Sequence, residues 1–490
     1  MINQALNILE RAGNRLPHPT MLFVYLCALV LLMSAVSAAL GVSAQHPKSG
    51  DVITAINLLS SDGISQMLTQ AVSNFTQFAP VGTVLVAMLG LGVAERSGLI
   101  GVLLAKAVAR AQGAGLTFVV VFAGVMSSLA ADAGYVVLIP LAALLFHAAG
   151  RHPLAGIAAA FAGVSGGYSA NLLLGPFDAL LAGISTEAAR MVDPEASVSI
   201  AANYGFMVAS VLLISVIATW VTSRFVEPRL ATLAVDILED DMPETTTNDG
   251  RGLRAAGLTL VVIVLFFASG LYAPDAWLRQ GNELLASAFM KGIVVVISLT
   301  ALLCGLAFAR ASGRWQRSDD LITAMESSMA GMAGYLVLMF FAAQFTAWFG
   351  WSQLGIITAI TGADFLTSLN ASPIILLLGF VLIAALINLF IGSGSAKWAL
   401  LAPVFVPMLM LVGIAPETAQ VAFRIGDSST NIITPLMPYF GVVLAFAQRY
   451  RADLGIGTVM AMMLPYSIAF LLGWSALLAL WLGFGWPLGW

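Results

Sequence analysis

Charge is scarce in this sequence. Its 490 residues include 21 Lys or Arg and 25 Asp or Glu, a charged fraction of 9%, where a soluble domain carries roughly 25%. With 60% apolar residues and a mean hydropathy of +0.95, too little polar surface remains to clothe a water-exposed chain of this length. That excludes a soluble protein. A net charge of −4 supplies no basic field, and no Cys or His recurs at finger spacing, so nucleic acid is excluded as a partner. The only cysteines, Cys27 and Cys304, lie inside apolar segments and carry no information on disulfides or redox compartment.

Long apolar runs are abundant, and they define a polytopic helical membrane protein. Residues 20–41 are uncharged and follow a polar start with Arg11, Arg15 and His18. They read as a first span; a signal peptide is the rival, since residues 34–38 resemble a cleavage site, but the run exceeds the roughly 7–15 residues of such a core. Further spans are expected near 80–94, 154–183, 198–223, 255–272, 292–309, 332–349, 421–448 and 458–482, nine in all. Two more apolar stretches, about 116–148 and 373–412, exceed the roughly 20 residues of a perpendicular helix. Both carry a break halfway, at Asp132-Ala133-Gly134 and at Gly392-Ser393-Gly394-Ser395, and read as re-entrant helical hairpins.

Basic residues set the orientation. With both hairpins entering and leaving on one side, one face collects Arg11, Arg15, Arg96, Lys106, Arg110, Arg151, Arg224 to Arg254, Arg310 to Arg317, Arg449 and Arg451; the other keeps only Lys48, Arg190, Arg279 and Lys291. The positive-inside rule then places the N-terminus in the cytoplasm and the C-terminus outside a bacterial inner membrane. Residues 225–253, which hold Asp236, Glu239, Asp240, Asp241, Glu244 and Asp249, read as an acidic cytoplasmic linker.

The chain also resembles itself. Residues 132–140 (DAGYVVLIP) align without gaps on 395–403 (SAKWALLAP); Ser169-Ala170-Asn171 precedes Pro176 as Ser429-Thr430-Asn431 precedes Pro435. The expected organisation is therefore a first repeat over 1–224, the linker, a connecting span at 254–273, and a second, inverted repeat over 274–490.

Unwound backbone survives in hydrocarbon only where it lines a protein cavity or water. Four breaks qualify: the two hairpin tips and the stretches 163–171 and 426–431. Half-helix N-termini there can hold a carboxylate, while freed carbonyls with Asn, Ser and Asp oxygens can hold a small cation. The ionisable residues nearby, Asp178, Lys397, Arg424 and Asp427, are functional candidates because each is costly at membrane depth unless paired. Arg424 and Asp427 lie three apart on one helix. They read either as a structural ion pair or, if the helix unwinds at Gly426, as an anion anchor (Arg424) and a cation or proton site (Asp427 with Asn388). Asn388 alone equally suits a helix-to-helix hydrogen bond. Trp398 and Tyr135 suit either stacking on a ring or packing at a hairpin base.

One hydrolase signature occurs: Gly163-Val164-Ser165-Gly166-Gly167 satisfies G-x-S-x-G. The elbow needs a preceding strand that a helical span cannot supply, and all four histidines fall in loops or at span ends, so no enzyme is expected.

The segments 132–140, 150–156, 169–171, 175–178, 392–398 and 424–431 together resemble the p-aminobenzoyl-glutamate transporter (AbgT) family over nearly the whole length. The resemblance implies a homodimer of ion-transporter-superfamily type, and carriage of p-aminobenzoyl-glutamate, p-aminobenzoate or sulfonamide antimetabolites on a proton or sodium gradient. By position it implies Asp178, Trp398, Pro416, Arg424 and Asp427 around a small anionic aromatic substrate, to which the breaks add Asn171, Ser393 and Ser395. It further implies Asn388 with Asp427 in cation or proton coupling, with a sodium ion there and no other cofactor; Asp132, at the first hairpin tip, is a further coupling candidate. A sodium-coupled dicarboxylate carrier and a passive channel are the alternatives.

Overall fold

In the computed structural model, the described residues are 19–45, 51–109, 115–129, 134–230, 248–273, 276–279, 287–317, 319–435, 437 and 439–490. Helices of nine or more residues are numbered in chain order. The first half holds α1 (Pro19–Ala39), α2 (Ser61–Thr76), α3 (Ala79–Arg96), α4 (Leu99–Ala109), α5 (Gly115–Met126), α6 (Ile139–Ala148), α7 (Pro153–Phe161), α8 (Pro176–Ala189) and α9 (Tyr204–Val221). After α10 (Asp249–Leu271) come α11 (Ile293–Ser312), α12 (Asp319–Gly331), α13 (Ala333–Trp351), α14 (Leu354–Ser368), α15 (Pro373–Asn388), α16 (Gly394–Leu411), α17 (Pro416–Asn431), α18 (Phe440–Tyr450) and α19 (Ile456–Gly483). The strands β1 (Ser43–Gln45) and β2 (Val52–Thr54) form a small antiparallel pair.

Among the described residues, eight helices are long and apolar enough to cross a bilayer, and nine if α14 and α15, bent by 120° at their junction, count as one span. The chain is thus the all-α polytopic protein expected from its hydropathy, but the tally draws on partly different segments. Residues 394–411, expected as one arm of a hairpin, are themselves of spanning length. The expected spans 154–183 and 421–448 are each divided between two helices, with a non-helical break at 167–175 in the first and one that begins at 432 in the second. Proline explains where the outer halves begin: Pro176 opens α8 at a position whose backbone N–H would be unpaired in any helix, and Gly175 before it is extended (φ −126°, ψ −179°).

One local expectation fails. The stretch 426–431 is not unwound, because α17 runs unbroken from Pro416 to Asn431. Its polar run stays helical by bonding back to the helix and across to α15: Thr430 Oγ1 donates to Gly426 O at 2.8 Å, Ser429 Oγ donates to Ile425 O, and Asn388 reaches Thr430 from α15. Gly426 serves packing rather than unwinding. A Cβ there would lie 2.4 Å from Val381 O, so only glycine lets α15 and α17 approach so closely.

The central core gathers α5, the α6–α8 segment and α9 with α15 to α17 and α19, and many of its side chains are fully buried. By contrast α10 is exposed along most of its apolar length, with Val262, Leu265 and Phe266 each more than half open. Such surface fits a bilayer rather than water.

Candidate functional site

Both breaks, the turn before α16 and the N-terminal ends of α8 and α16 surround one cavity of about 320 Å³. Pro176 and Phe177 present the first turn of α8, and Ser393, Gly394 and Ser395 present that of α16. Each start is held by a side chain. Ser393 Oγ accepts from Ala396 N at 3.3 Å, and Asp178 Oδ2 accepts from Gly175 N at 2.8 Å. Two helix N-termini facing one small space give it a positive character without a free side-chain cation. Aromatic side chains share the lining. Tyr135 and Tyr439 stack with ring centroids 4.3 Å apart and planes 7° apart, and Tyr168 meets Phe177 edge-on at 5.0 Å.

Behind this cavity the buried charges form two ion pairs. Arg424, 1% exposed, donates through Nη2 to Asp178 Oδ1 at 2.6 Å and to Ser169 O at 2.8 Å. The pair joins α17 to α8 across 246 positions of sequence. Asn171 Nδ2 adds a contact to Asp178 Oδ2 at 3.3 Å. The second pair is Lys397 with Asp427, and the same ammonium contacts Asn388 Oδ1. Asn388 Nδ2 in turn lies 2.6 Å from Asp427 O, 2.8 Å from Thr430 Oγ1 and 3.0 Å from Asn431 Oδ1. Arg424 and Asp427 therefore do not pair with each other despite their three-residue spacing. The four charges sum to zero. Among the described residues, Arg424 Nε, Asn171 Oδ1, Ser169 Oγ and Asp427 Oδ1 are buried without a hydrogen-bond partner.

The expected site residues thus fall into distinct groups. Ser393, Ser395 and Asp427 line the cavity. Asp178, Asn171 and Arg424 lie together behind it, and Asn388 is fully buried against Asp427. Trp398 is buried completely, stacked on Phe423 at 4.6 Å with Nε1 donating to Leu181 O and Ser185 Oγ; it does not line the cavity. Pro416 opens α17, eleven residues before Asp427, which is roughly 16 Å along a helix. Asp132 lies outside the described residues. Ser165, the serine of the hydrolase signature, sits in a π-helical turn with Oγ donating to Met437 Sδ at 3.1 Å.

Lys397 is a candidate from its depth in an apolar run alone, and only the fold gives it a partner: a lysine in the first turn after the Gly-Ser break, set against Asp427. Tyr439 left no such signal, because nothing before the fold is known sets the ring after the second break against Tyr135.

The sequence model of the AbgT putative transporter family matches residues 4–490. The p-aminobenzoyl-glutamate transport protein of Escherichia coli (strain K12) is 39% identical over 483 residues, which cover 98% of this chain and 95% of that one. The YdaH transporter of Alcanivorax borkumensis, known from a crystal structure described as having an unusual topology, superposes with a TM-score of 0.93 at 55% identity, over 96% of this chain and 100% of that one. MtrF of Neisseria gonorrhoeae, described as illuminating a class of antimetabolite efflux pumps, gives 0.91 at 45% identity over 97% of each chain.

Proposed function

This chain belongs to the AbgT transporter family, a membrane transporter and not an enzyme, and on that footing we propose that it carries p-aminobenzoyl-glutamate and p-aminobenzoate-type compounds. Export of sulfonamide antimetabolites belongs to the same proposal, supported by the description of MtrF as one of a class of antimetabolite efflux pumps, and a proton or sodium gradient drives the flux. The observation that carries this reading is the cavity itself. These compounds join a benzene ring to carboxylates, on the ring itself in p-aminobenzoate and on the amide-linked glutamate in p-aminobenzoyl-glutamate, and one cavity is lined by both the two helix N-termini and the stacked tyrosines. A carboxylate suits the first turns of α8 and α16, and the ring suits Tyr135 and Tyr439. Trp398, with its faces and its N–H already engaged, serves packing in this reading.

The matched order of the named helices, α1–α9 and then α11–α19 on either side of α10, supports two repeats joined by a connecting span. Each repeat contributes one broken element and one helix start to the cavity. Alternating access then moves these elements against the remaining spans. The basic-residue asymmetry supports a cytoplasmic N-terminus and an external C-terminus in a bacterial inner membrane. The family resemblance supports a homodimer.

Purified protein in vesicles, offered labelled p-aminobenzoate, p-aminobenzoyl-glutamate and succinate under imposed proton or sodium gradients, tests the proposal. Concentrative, gradient-driven flux of an aminobenzoyl compound is expected. Flux of succinate alone would replace it with the dicarboxylate reading, and flux that never exceeds equilibration would make the protein a channel. Tyr135→Ala and Tyr439→Ala should each raise KM for the aromatic substrates roughly three- to tenfold, the scale of one aromatic contact. Phe at either position should retain it.

A further inference from the structure

We propose that the ammonium of Lys397 is a built-in cation, filling the Asn388–Asp427 site so that no sodium ion binds there in the native protein. This rests on the transporter reading, in which that site adjoins the substrate cavity. Lys397 is fully buried in the first turn of α16, where two effects oppose a positive charge. The helix N-terminus is already positive, and a cation at membrane depth is costly unless paired. Its placement is explained by what it contacts.

The Nζ sits against Asp427 Oδ1 and Asn388 Oδ1 together, the two oxygens that a sodium ion would take. The other oxygens nearby are turned to donors as well. Asp427 O, Thr430 Oγ1 and Asn431 Oδ1 all lie within 3.0 Å of Asn388 Nδ2, whose two hydrogens serve two of them at a time, and Asn431 Nδ2 lies 3.5 Å from Asp427 Oδ2. A metal ion needs a shell of oxygens pointing inward; here they converge on an ammonium and an amide. The donor set therefore fits Lys397 and does not fit sodium beside it. The second ion pair, Arg424 with Asp178, is complete in charge and offers no carboxylate to share. Asp427 remains on the cavity wall, so its neutralisation by Lys397 also keeps a fixed negative charge from facing an anionic substrate.

Full-length protein in detergent is compared in sodium, potassium and choline chlorides at equal ionic strength, by thermal unfolding and by binding of radioactive sodium. The wild type is expected to melt at the same temperature in all three salts and to bind no sodium above background. Lys397→Gln opens the site: its melting point should rise by several degrees in sodium alone, with binding near one ion per chain, and adding Asp427→Asn should abolish both effects. Lys397→Arg, which keeps a tethered cation, should stay sodium-independent. Stoichiometric sodium binding by the wild type that Asn388→Ala or Asp427→Asn removes would overturn the proposal, as would a folded Lys397→Gln that binds none. If Lys397→Gln does not fold, the wild-type and Lys397→Arg measurements decide. None of these readouts uses substrate, so failure to bind aminobenzoyl compounds would refute the functional proposal while leaving this one to stand or fall separately.

Discussion

Replacing Asp178 by Asn removes one charge from a buried pair while keeping the side chain's shape. The pair is 2.6 Å long, with side chains 1% and 3% exposed, so neither partner can turn to water when the other is neutralised. Stranding a buried charge in this way costs about 3–5 kcal/mol, a factor of roughly two hundred to five thousand in the folding equilibrium. Little of that comes from the start of α8, since an Asn oxygen can still accept from Gly175 N as Asp178 Oδ2 does. Arg424→Met strands the carboxylate instead and should cost a similar amount. In the double variant no charge is left unpaired, so its stability should return to within about 1–2 kcal/mol of wild type. Unfolding in detergent–denaturant mixtures, followed for all four proteins, gives the coupling energy directly. If the two single losses simply add, to within roughly 0.5 kcal/mol, the side chains do not interact and the pair is refuted. The double variant also separates structure from function. A folded protein without transport assigns the Arg424–Asp178 pair a role beyond packing, while normal flux would confine the pair to holding α17 against α8.

Two further substitutions probe the packing that positions the site. Gly426→Ala would place a Cβ 2.4 Å from Val381 O and 2.8 Å from Ala385 N, both backbone atoms; forcing α15 from α17 should cost about 1–3 kcal/mol, whereas Gly441→Ala, which meets nothing within 4 Å, should leave the melting temperature unchanged or slightly raised. Trp398→Phe loses the Nε1 bonds to Leu181 O and Ser185 Oγ and should cost about 1–3 kcal/mol without changing the order in which aromatic substrates compete; a changed order would place Trp398 against the substrate.

Hydropathy and glycine made most of the architecture legible, for physical reasons. A membrane admits few solutions to backbone hydrogen bonding, so apolar runs had to be helices, and the Gly-Ser break at 392–395 had to lie where protein or water could satisfy it. It does lie there, at the start of α16. The stretch 426–431 was misread because the same composition serves two purposes. Glycine with polar neighbours suits an unwound segment, but it equally suits a helix pressed against another helix whose polar residues all find partners across the contact, as Asn388 and Thr430 do. The actual break, which begins at 432, falls after that polar run and has no glycine to announce it.

Partner choice among the charges was not legible, and it changes what the site can do. Spacing alone pairs Arg424 with Asp427; the fold instead gives each a partner on another helix, leaving neither as a free charge facing the cavity. On the proposed reading, an anionic substrate in this cavity would therefore meet the starts of α8 and α16 rather than a guanidinium. Asp427 on the same wall would repel it by roughly 4 kcal/mol at 4 Å for an effective dielectric of 20, a penalty as large as the whole helix-end attraction, which reaches at most about 2 kcal/mol per terminus. Lys397 reverses that balance. With its ammonium on Asp427, the wall is neutral and the two helix starts are left unopposed. On the proposed transport reading, the lysine to which spacing alone gave no partner is thus the residue that keeps this cavity open to an anion.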